Sequence, residues 1–391
     1  MVHVVMVRSH YPDTRLQKEA ASLKKGGNSV RLLVWDRGKL PASPDASGCE
    51  VKRFSARVQP DQLLVALYLP FWWLFVALDL ALRDFDIVHA ADFDTFLPAV
   101  IVAKARRKRI VYDIYDFYAE MIRFPVLPNL SKTCIAAVDR FLMQHADAII
   151  LPDPARMEQV GTAGAGKVAV VANSPSAEML DGVRPNRNDG RFTVFYGGFV
   201  TGDRCIGEIC QAIRDLPDVA LSVAGPCSDE YQAELRQICR EAGNIELSFG
   251  WLPYQEILAR TLGADCLVAL YDPRVPNNRY ASPNKLFEAM LCGKPIVVNG
   301  GTSMTAIVET TGCGIVVPFG DHDALRDAIL RLKSDSSLRE RLGRNARTAY
   351  DRLYRWGIME ERLLAVYRDL EAPGRLLSSE ERPQQSRSFR G

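Results

Sequence analysis

Short apolar runs that alternate with helical patterns occur in two successive series along this chain, and that alternation constrains its fold more than any other feature. The first series opens with V-H-V-V-M-V, continues through T-R-L-Q-K-E-A-A-S-L-K-K-G-G and returns as V-R-L-L-V-W. Asp13 suits a helix N-cap, Leu16, Ala20 and Leu23 form a stripe at helical spacing, and Gly26-Gly27 suits the helix end. The pattern recurs at D-I-V-H-A (86–90), R-I-V-Y-D-I (109–114) and A-I-I-L-P (148–152). Continuous apolar runs separated by helices read as strands buried on both faces of a parallel sheet.

The turn-rich stretch D-G-V-R-P-N-R-N-D-G (181–190) reads as a linker. A second series follows it: R-F-T-V-F-Y-G-G, V-A-L-S-V-A-G-P, I-E-L-S-F-G, D-C-L-V-A-L-Y, K-P-I-V-V-N-G-G and G-I-V-V-P-F. Most of these runs end in Gly or Pro, and strand ends of that kind are where open α/β sheets bind ligands. The predicted class is α/β, with two Rossmann-like, doubly wound parallel-sheet domains in series facing a cleft; the first covers 1–182 and the second begins at 191. The polar tail 373–391 is expected to be disordered.

One segment departs from the alternation. L-L-V-A-L-Y-L-P-F-W-W-L-F-V-A-L-D-L-A-L (63–82) is long and apolar enough to span a bilayer, interrupted only by Pro70 and Asp79. It falls between two strands of one sheet, and a spanning helix there would put those strands on opposite sides of the membrane. The readings are a buried core helix, a helix pair broken at Pro70 and lying on a membrane surface, with Leu69, Phe71, Trp72, Trp73 and Phe75 as its contacts, and, disfavoured by that placement, a true transmembrane span.

A formal charge of +2 over 391 residues gives nucleic acid no general attraction. The nine cysteines are scattered, without CxxC pairs or matching histidine spacing, so neither a disulfide framework nor a zinc site is expected and a reducing cytoplasm is. The N-terminus M-V-H-V-V-M-V-R enters a strand at once and does not read as a secretory signal.

The chemistry concentrates in the second series. In S-P-N-K-L-F-E-A-M-L-C-G-K-P-I-V-V (282–298), Ser282 suits the N-cap, Pro283 the first helical position, and Asn284 follows. The free amides and dipole of such a start attract a phosphate, and Lys285 adds a full charge beside them. Glu288, one turn on and on the same face, is placed to accept hydrogen bonds from a ribose diol; the plain alternative is a surface i,i+3 ion pair. The turn Y-G-G-F-V-T-G-D-R (196–204) lets backbone at Gly197 and Gly198 approach a diphosphate that Arg204 clamps. The loop N-G-G-T-S-M-T (299–305) offers Thr302 to a phosphate or base.

These motifs, with D-I-V-H-A-A-D-F-D-T and V-V-A-N-S-P, resemble the retaining glycosyltransferases of family 4, whose two Rossmann-like domains form the GT-B fold. The resemblance covers nearly the whole chain. It implies that Glu288 binds the nucleotide ribose, that Arg204 binds the donor diphosphate, and that a C-terminal helix of about 346–372 packs back on the first domain, leaving 191–345 to the second. It implies a hexosyl transfer with retention, without metal or cofactor, from a UDP- or GDP-linked sugar, the leaving phosphate taking the acceptor proton. Three positions depart from the family pattern. Tyr280 stands where a first glutamate is usual, Gly198 where an arginine is common, so that Lys285 is expected to supply that charge, and Tyr115 where a histidine is often found.

The expected donor contacts are therefore Gly197, Gly198, Arg204, Ser282, Asn284, Lys285, Glu288 and Thr302. Asp94, Asp113, Tyr115 and Asp116 are expected to bind the acceptor, and Arg204, Lys285 and Asp94 to carry catalysis. A D-x-D metal reading of Asp92 and Asp94 is set aside, because hard cations need more oxygen ligands. His89 reads as a core histidine. The apolar stretch favours a membrane-borne acceptor, such as a polyprenyl-diphosphate-linked saccharide used in surface polysaccharide or glycolipid synthesis, and a peripheral location at the inner face of the cytoplasmic membrane. A soluble acceptor, a catalytically silent partner subunit and an epimerase on the same fold are the competing readings.

Overall fold

The computed structural model describes residues 1–38, 48–56, 58, 62–121, 128–164, 166–186 and 190–371. The tail 373–391 and part of the 181–190 linker lie outside the described residues. The chain forms two compact units: Met1–Val171 together with the chain from Glu360 onward, and Ala172–Met359.

In the first unit, β1 (His3–Arg8), β2 (Ser29–Asp36), β3 (Glu50–Ser55), β4 (Ile87–Ala91), β5 (Arg109–Asp113), β6 (Ala148–Leu151) and β7 (Val168–Val170) make one parallel sheet in the order β3-β2-β1-β4-β5-β6-β7. The strand order reverses between β1 and β4, so their C-terminal ends border the crevice where such sheets bind ligands. Helix α1 (Thr14–Lys25) starts as its sequence dictates: Asp13 accepts from the amides of Arg15 and Leu16, and Leu16, Ala20 and Leu23 are buried. Strands β3 and β7 are absent from the sequence reading. The first is half-exposed or exposed throughout and the second is three residues long, so neither forms a conspicuous apolar run.

The second unit holds β8 (Phe192–Gly197), β9 (Val219–Gly225), β10 (Ile245–Phe249), β11 (Cys266–Ala269), β12 (Ile296–Asn299) and β13 (Gly314–Val317), parallel throughout, in the order β10-β9-β8-β11-β12-β13. Its reversal lies between β8 and β11. Both sheets are thus doubly wound.

The apolar stretch corrects its expectation. Helix α2 (Gln62–Leu82) runs unbroken through Pro70, where only one internal hydrogen bond is forgone. Trp72 is fully buried, between Trp35 at 5.9 Å and Phe75 at 5.8 Å, and is not a membrane contact. Helical periodicity explains this: Trp72 shares its stripe with Val76 and Leu80, which face the sheet. Leu69, Trp73 and Phe75 are half-buried against the same core, and Trp73 Nε1 donates to the Asp94 carbonyl at 2.9 Å. Of the five expected contacts, Phe71 alone is largely exposed; beside it stand Leu64, Leu67, Tyr68, Leu74, Leu78 and Leu82. Asp79 is buried and pairs with Arg31 of β2 and Lys52 of β3, so the one charge in the helix faces the sheet.

The C-terminal region also differs from a single helix over about 346–372. A helix Ser336–Ala349 ends in a wide turn at Tyr350–Tyr354, where Arg355 becomes extended, and a separate helix Trp356–Glu371 follows. The buried Tyr350 hydroxyl, donating to the Pro175 carbonyl at 2.9 Å, holds that turn in place. From Glu360 onward the last helix belongs to the first unit, where the Tyr367 hydroxyl bonds His89 Nδ1 at 2.8 Å.

Candidate active site

In the second unit, the ends of β8, β11 and β12 lead to the start of the helix Asn284–Leu291. Pro283, extended at φ −75° and ψ 151°, occupies the cap position, so this helix begins one residue later than its sequence suggests and Ser282 does not cap it. Proline brings no capping side chain, and of the first-turn amides that of Leu286 donates to the Pro283 carbonyl at 3.0 Å. The Ser282 hydroxyl is buried and has no hydrogen-bond partner among the described residues.

Lys285, 6% exposed, donates from Nζ to the Tyr271 hydroxyl at 3.1 Å and lies 4.4 Å from the face of Tyr196. Among the described residues no carboxylate pairs with it. Burial opposes its charge, but the oxygens of Tyr196 and Tyr271 outweigh burial and set its pKa above the ordinary lysine value. Gly198, at φ +129°, runs close by: a Cβ there would stand 3.2 Å from Lys285 Nζ. Arg204 stacks 3.9 Å above the other face of this cluster, the Tyr271 ring, and donates to Asn278 Oδ1 at 2.6 Å. Asn278 also donates to Asp203 Oδ2 at 3.0 Å. Tyr271 is itself clamped: Asn299, at the end of the adjacent β12, accepts from its amide at 2.7 Å and donates to its carbonyl at 3.0 Å.

Glu288, 4% exposed, accepts from the Tyr254 hydroxyl at 2.9 Å. Thr302 is buried, and its neighbour Ser303 donates to the Ala281 carbonyl at 2.8 Å, tying the loop after β12 to the helix start. Gly197, Gly198, Arg204, Lys285 and the Asn284 amide thus gather at the C-terminal ends of β8 and β11. The cluster holds two cations, two buried hydroxyls and an open helix start, which suits a diphosphate. Sequence reading finds Lys285 and Glu288 because they share one helix; it misses Tyr196, Tyr254, Tyr271, Asn278 and Asn299, whose roles arise from contacts between distant segments. The polar residues that close the strand runs, Tyr271 and Asn299, are the one local signal.

In the first unit, the expected acceptor residues divide. Asp113 is not an accessible acceptor contact: it is fully buried, held by Arg15 at 2.8 Å and by His89 Nε2 at 3.4 Å. At a strand end, sequence alone does not tell a carboxylate facing the crevice from one turned under the first helix. Glu19 completes that network, 3.0 Å from Arg15, and burial raises its pKa well above the carboxylate range. Glu19, His89 and Asp113 lie close enough to hold a cation, but the Arg15 guanidinium already supplies the positive charge there. His89 is a bonded core histidine.

Asp92 is bound by Arg8, accepts from the Tyr115 amide at 2.9 Å, and adopts φ +65°, strained for a non-glycine residue. Burial pushes its carboxyl up to about 6. Asp94 is 3% exposed; its Oδ1 has no hydrogen-bond partner and burial raises its pKa. The Tyr115 hydroxyl is likewise buried and unpartnered, while Arg8 covers its ring at 4.1 Å. Asp116 pairs with Arg156 at 2.6 Å. Asp94 and Tyr115, just past β4 and β5, therefore each keep a buried polar atom with no partner among the described residues, and Arg204 and Lys285 belong to the other unit.

The comparisons agree with this architecture. The family model described as "Glycosyl transferase 4-like domain" matches residues 12–174, and that of "Glycosyl transferases group 1" matches 184–349. End to end they take in most of both units: the chain pairs a domain of the glycosyl transferase 4-like family with one of the glycosyl transferases group 1 family, on the GT-B fold. It is 27% identical over 167 residues to a GDP-mannose-dependent monoacylated alpha-(1-6)-phosphatidylinositol monomannoside mannosyltransferase of Corynebacterium glutamicum, covering 42% of each chain. It is 32% identical over 89 residues to a phosphatidyl-myo-inositol mannosyltransferase of Mycobacterium leprae, covering 23% of this chain and 24% of the relative. The matches thus span less than half the length of these curated relatives. Among solved structures, sucrose-phosphate synthase from Thermosynechococcus elongatus superposes with a TM-score of 0.77 at 16% identity, covering 94% of this chain and 99% of that one. HepE of Anabaena, solved with UDP and glucose, gives 0.70 at 16% identity over 94% and 100%. At such identity these two establish the fold alone.

Proposed function

We propose that the protein transfers a sugar from a UDP- or GDP-linked donor to a lipid-borne saccharide acceptor, with retention at the anomeric carbon and without a metal. The observation that carries the donor half is the buried Lys285 ammonium held by tyrosines with no paired carboxylate. A buried cation so placed has its counter-charge supplied by a ligand. As the bond from anomeric carbon to diphosphate oxygen breaks, charge grows on that oxygen, where Lys285, Arg204 and the helix-start amides stabilise it. The acceptor oxygen bonds the same carbon on the same face, and its proton passes to the leaving phosphate. Glu288 holds the ribose, and Asp94 orients the acceptor hydroxyl through its free oxygen.

The acceptor half is supported by the outward row of α2, Leu64 to Leu82, and by the phosphatidylinositol substrates in the names of the two curated relatives. Helix α3 (Phe93–Ala105) packs on α2 and on the helix Pro128–Met143, which adds exposed Leu130, Val138 and Phe141. This apolar surface seats the protein on a membrane, peripherally, at the cytoplasmic face where nucleotide sugars are made available. The carrier lipid is a polyprenyl diphosphate or a phosphoinositide. Purified protein is offered UDP- and GDP-sugars with liposomes bearing each carrier, and the anomeric configuration of the product is read by NMR. Transfer with retention to a lipid-borne acceptor is expected; turnover only with soluble acceptors, or no turnover with any donor, defeats the reading.

A further inference from the structure

The donor cluster belongs to a closed ring of contacts whose remaining members are aromatic and exposed. From Lys285 the ring passes to the face of Tyr196, and the Tyr196 hydroxyl donates to the Phe199 carbonyl at 2.6 Å. The Phe199 side chain meets Trp251 edge to face at 5.5 Å. Three residues beyond Trp251, Tyr254 donates to Glu288, which stands one turn from Lys285 on the same helix. Phe199 is 58% exposed and Trp251 72%. Single exposed apolar side chains are ordinary. Two in mutual contact, tied through one scaffold to a buried cation and a buried carboxylate, are placed by that scaffold.

We propose that Trp251, backed by Phe199, stacks on the nucleobase of the donor. The inference rests on the donor reading above. If Lys285 and Arg204 mark the diphosphate and Glu288 the ribose, the base leaves the ribose on the side away from the phosphates. The Glu288 carboxylate is reached there by Tyr254, the residue to which the loop 250–253 leads from β10, and that loop carries Trp251. Gly250, at φ +117°, makes the turn by which this loop leaves the strand. Aromatic stacking reads a π face that every base possesses. Trp251 therefore sets affinity for the nucleotide and discriminates weakly among bases, the larger purine gaining more.

The test titrates GDP and UDP into the full chain by calorimetry, for wild type, W251A, W251F and K285A. Trp251 is exposed, so W251A leaves the core filled, and an unchanged melting temperature verifies it. W251A is expected to raise Kd for both nucleotides at least tenfold, and W251F to stay within about threefold of wild type. If W251A binds both as tightly as wild type while K285A weakens binding, the stacking proposal is overturned and the donor site stands. If K285A also binds like wild type, or wild type binds neither nucleotide, the donor reading falls with it. A W251A protein that keeps its nucleotide Kd but loses transfer to lipid-borne acceptor overturns the proposal as well and assigns the aromatic pair to the acceptor.

Discussion

Lys285 is held by neighbours from two other segments, the turn 196–204 and Tyr271, and each can be removed separately. Replacing it by alanine is expected to raise the nucleotide Kd roughly 10- to 100-fold, the loss of a charge-assisted contact. Tyr271→Phe removes only the hydroxyl that accepts from Nζ, and a rise of about three- to tenfold is expected in the same titration. Asp139 offers a different kind of test. It is buried, accepts from the Tyr112 hydroxyl at 3.0 Å, leaves Oδ2 unpartnered, and is pushed up to about 7, chiefly by burial. A carboxyl whose folded pKa lies above its unfolded value stabilises the fold below the unfolded pKa and loses that contribution as pH rises through the folded one. Between about pH 4 and 7 the wild type should therefore lose about 1.36 kcal/mol per unit from this group. Asp139→Asn keeps an acceptor for Tyr112 and removes the ionisation, so its melting temperature should exceed that of wild type at pH 8 and fall less between pH 5 and pH 8.

At the scale of elements, α2 is the feature whose sequence and structure diverge most. Its length and composition are legible in the chain; its direction of exposure is not, because an apolar helix with both faces greasy carries no periodic signal to orient it. Asp79 resolves the face, since its partners Arg31 and Lys52 lie on the sheet, far off in sequence. The same reason separates the strands that were readable from β3 and β7: burial on both faces writes a continuous apolar run, whereas an edge strand writes almost nothing. The helix Asn284–Leu291 was readable with its ligand-binding face, because Lys285 and Glu288 are local to it, although its start shifts by one residue where proline takes the cap. The outward row of α2 yields its own prediction. Glutamate at Phe71, Leu74 and Leu78 should abolish co-sedimentation with anionic liposomes while leaving the nucleotide Kd unchanged, since each of these side chains is at least half exposed and all lie in the first unit. Retention of liposome binding in that triple variant would remove α2 from the membrane contact.

For the whole molecule, two sheets divide the work, and the donor groups all lie within Ala172–Met359. A nucleotide that binds only the folded second unit stabilises that unit by mass action, by about 2.7 kcal/mol at a hundred times its Kd. Calorimetric unfolding with UDP or GDP should therefore raise a transition belonging to the second unit, and Lys285→Ala should erase the shift. The alternation of strand and helix made both sheets legible, since each unit repeats one local pattern. The acceptor residues were less so: Asp94 and Asp113 follow neighbouring strands, yet one keeps a free oxygen and the other is locked by Arg15, a partner 98 residues away.

Gly225 is not itself assigned to the ligand, yet a methyl at its Cβ position would fall 1.9 Å from the Gly198 carbonyl oxygen, at a φ of +148° that side chains avoid. Alanine there should displace the phosphate turn from behind, at a cost on the order of 3 kcal/mol. A saturation-mutagenesis map would then show a forbidden position on the neighbouring strand as unforgiving as Lys285, marking where the chain has no room left to evolve.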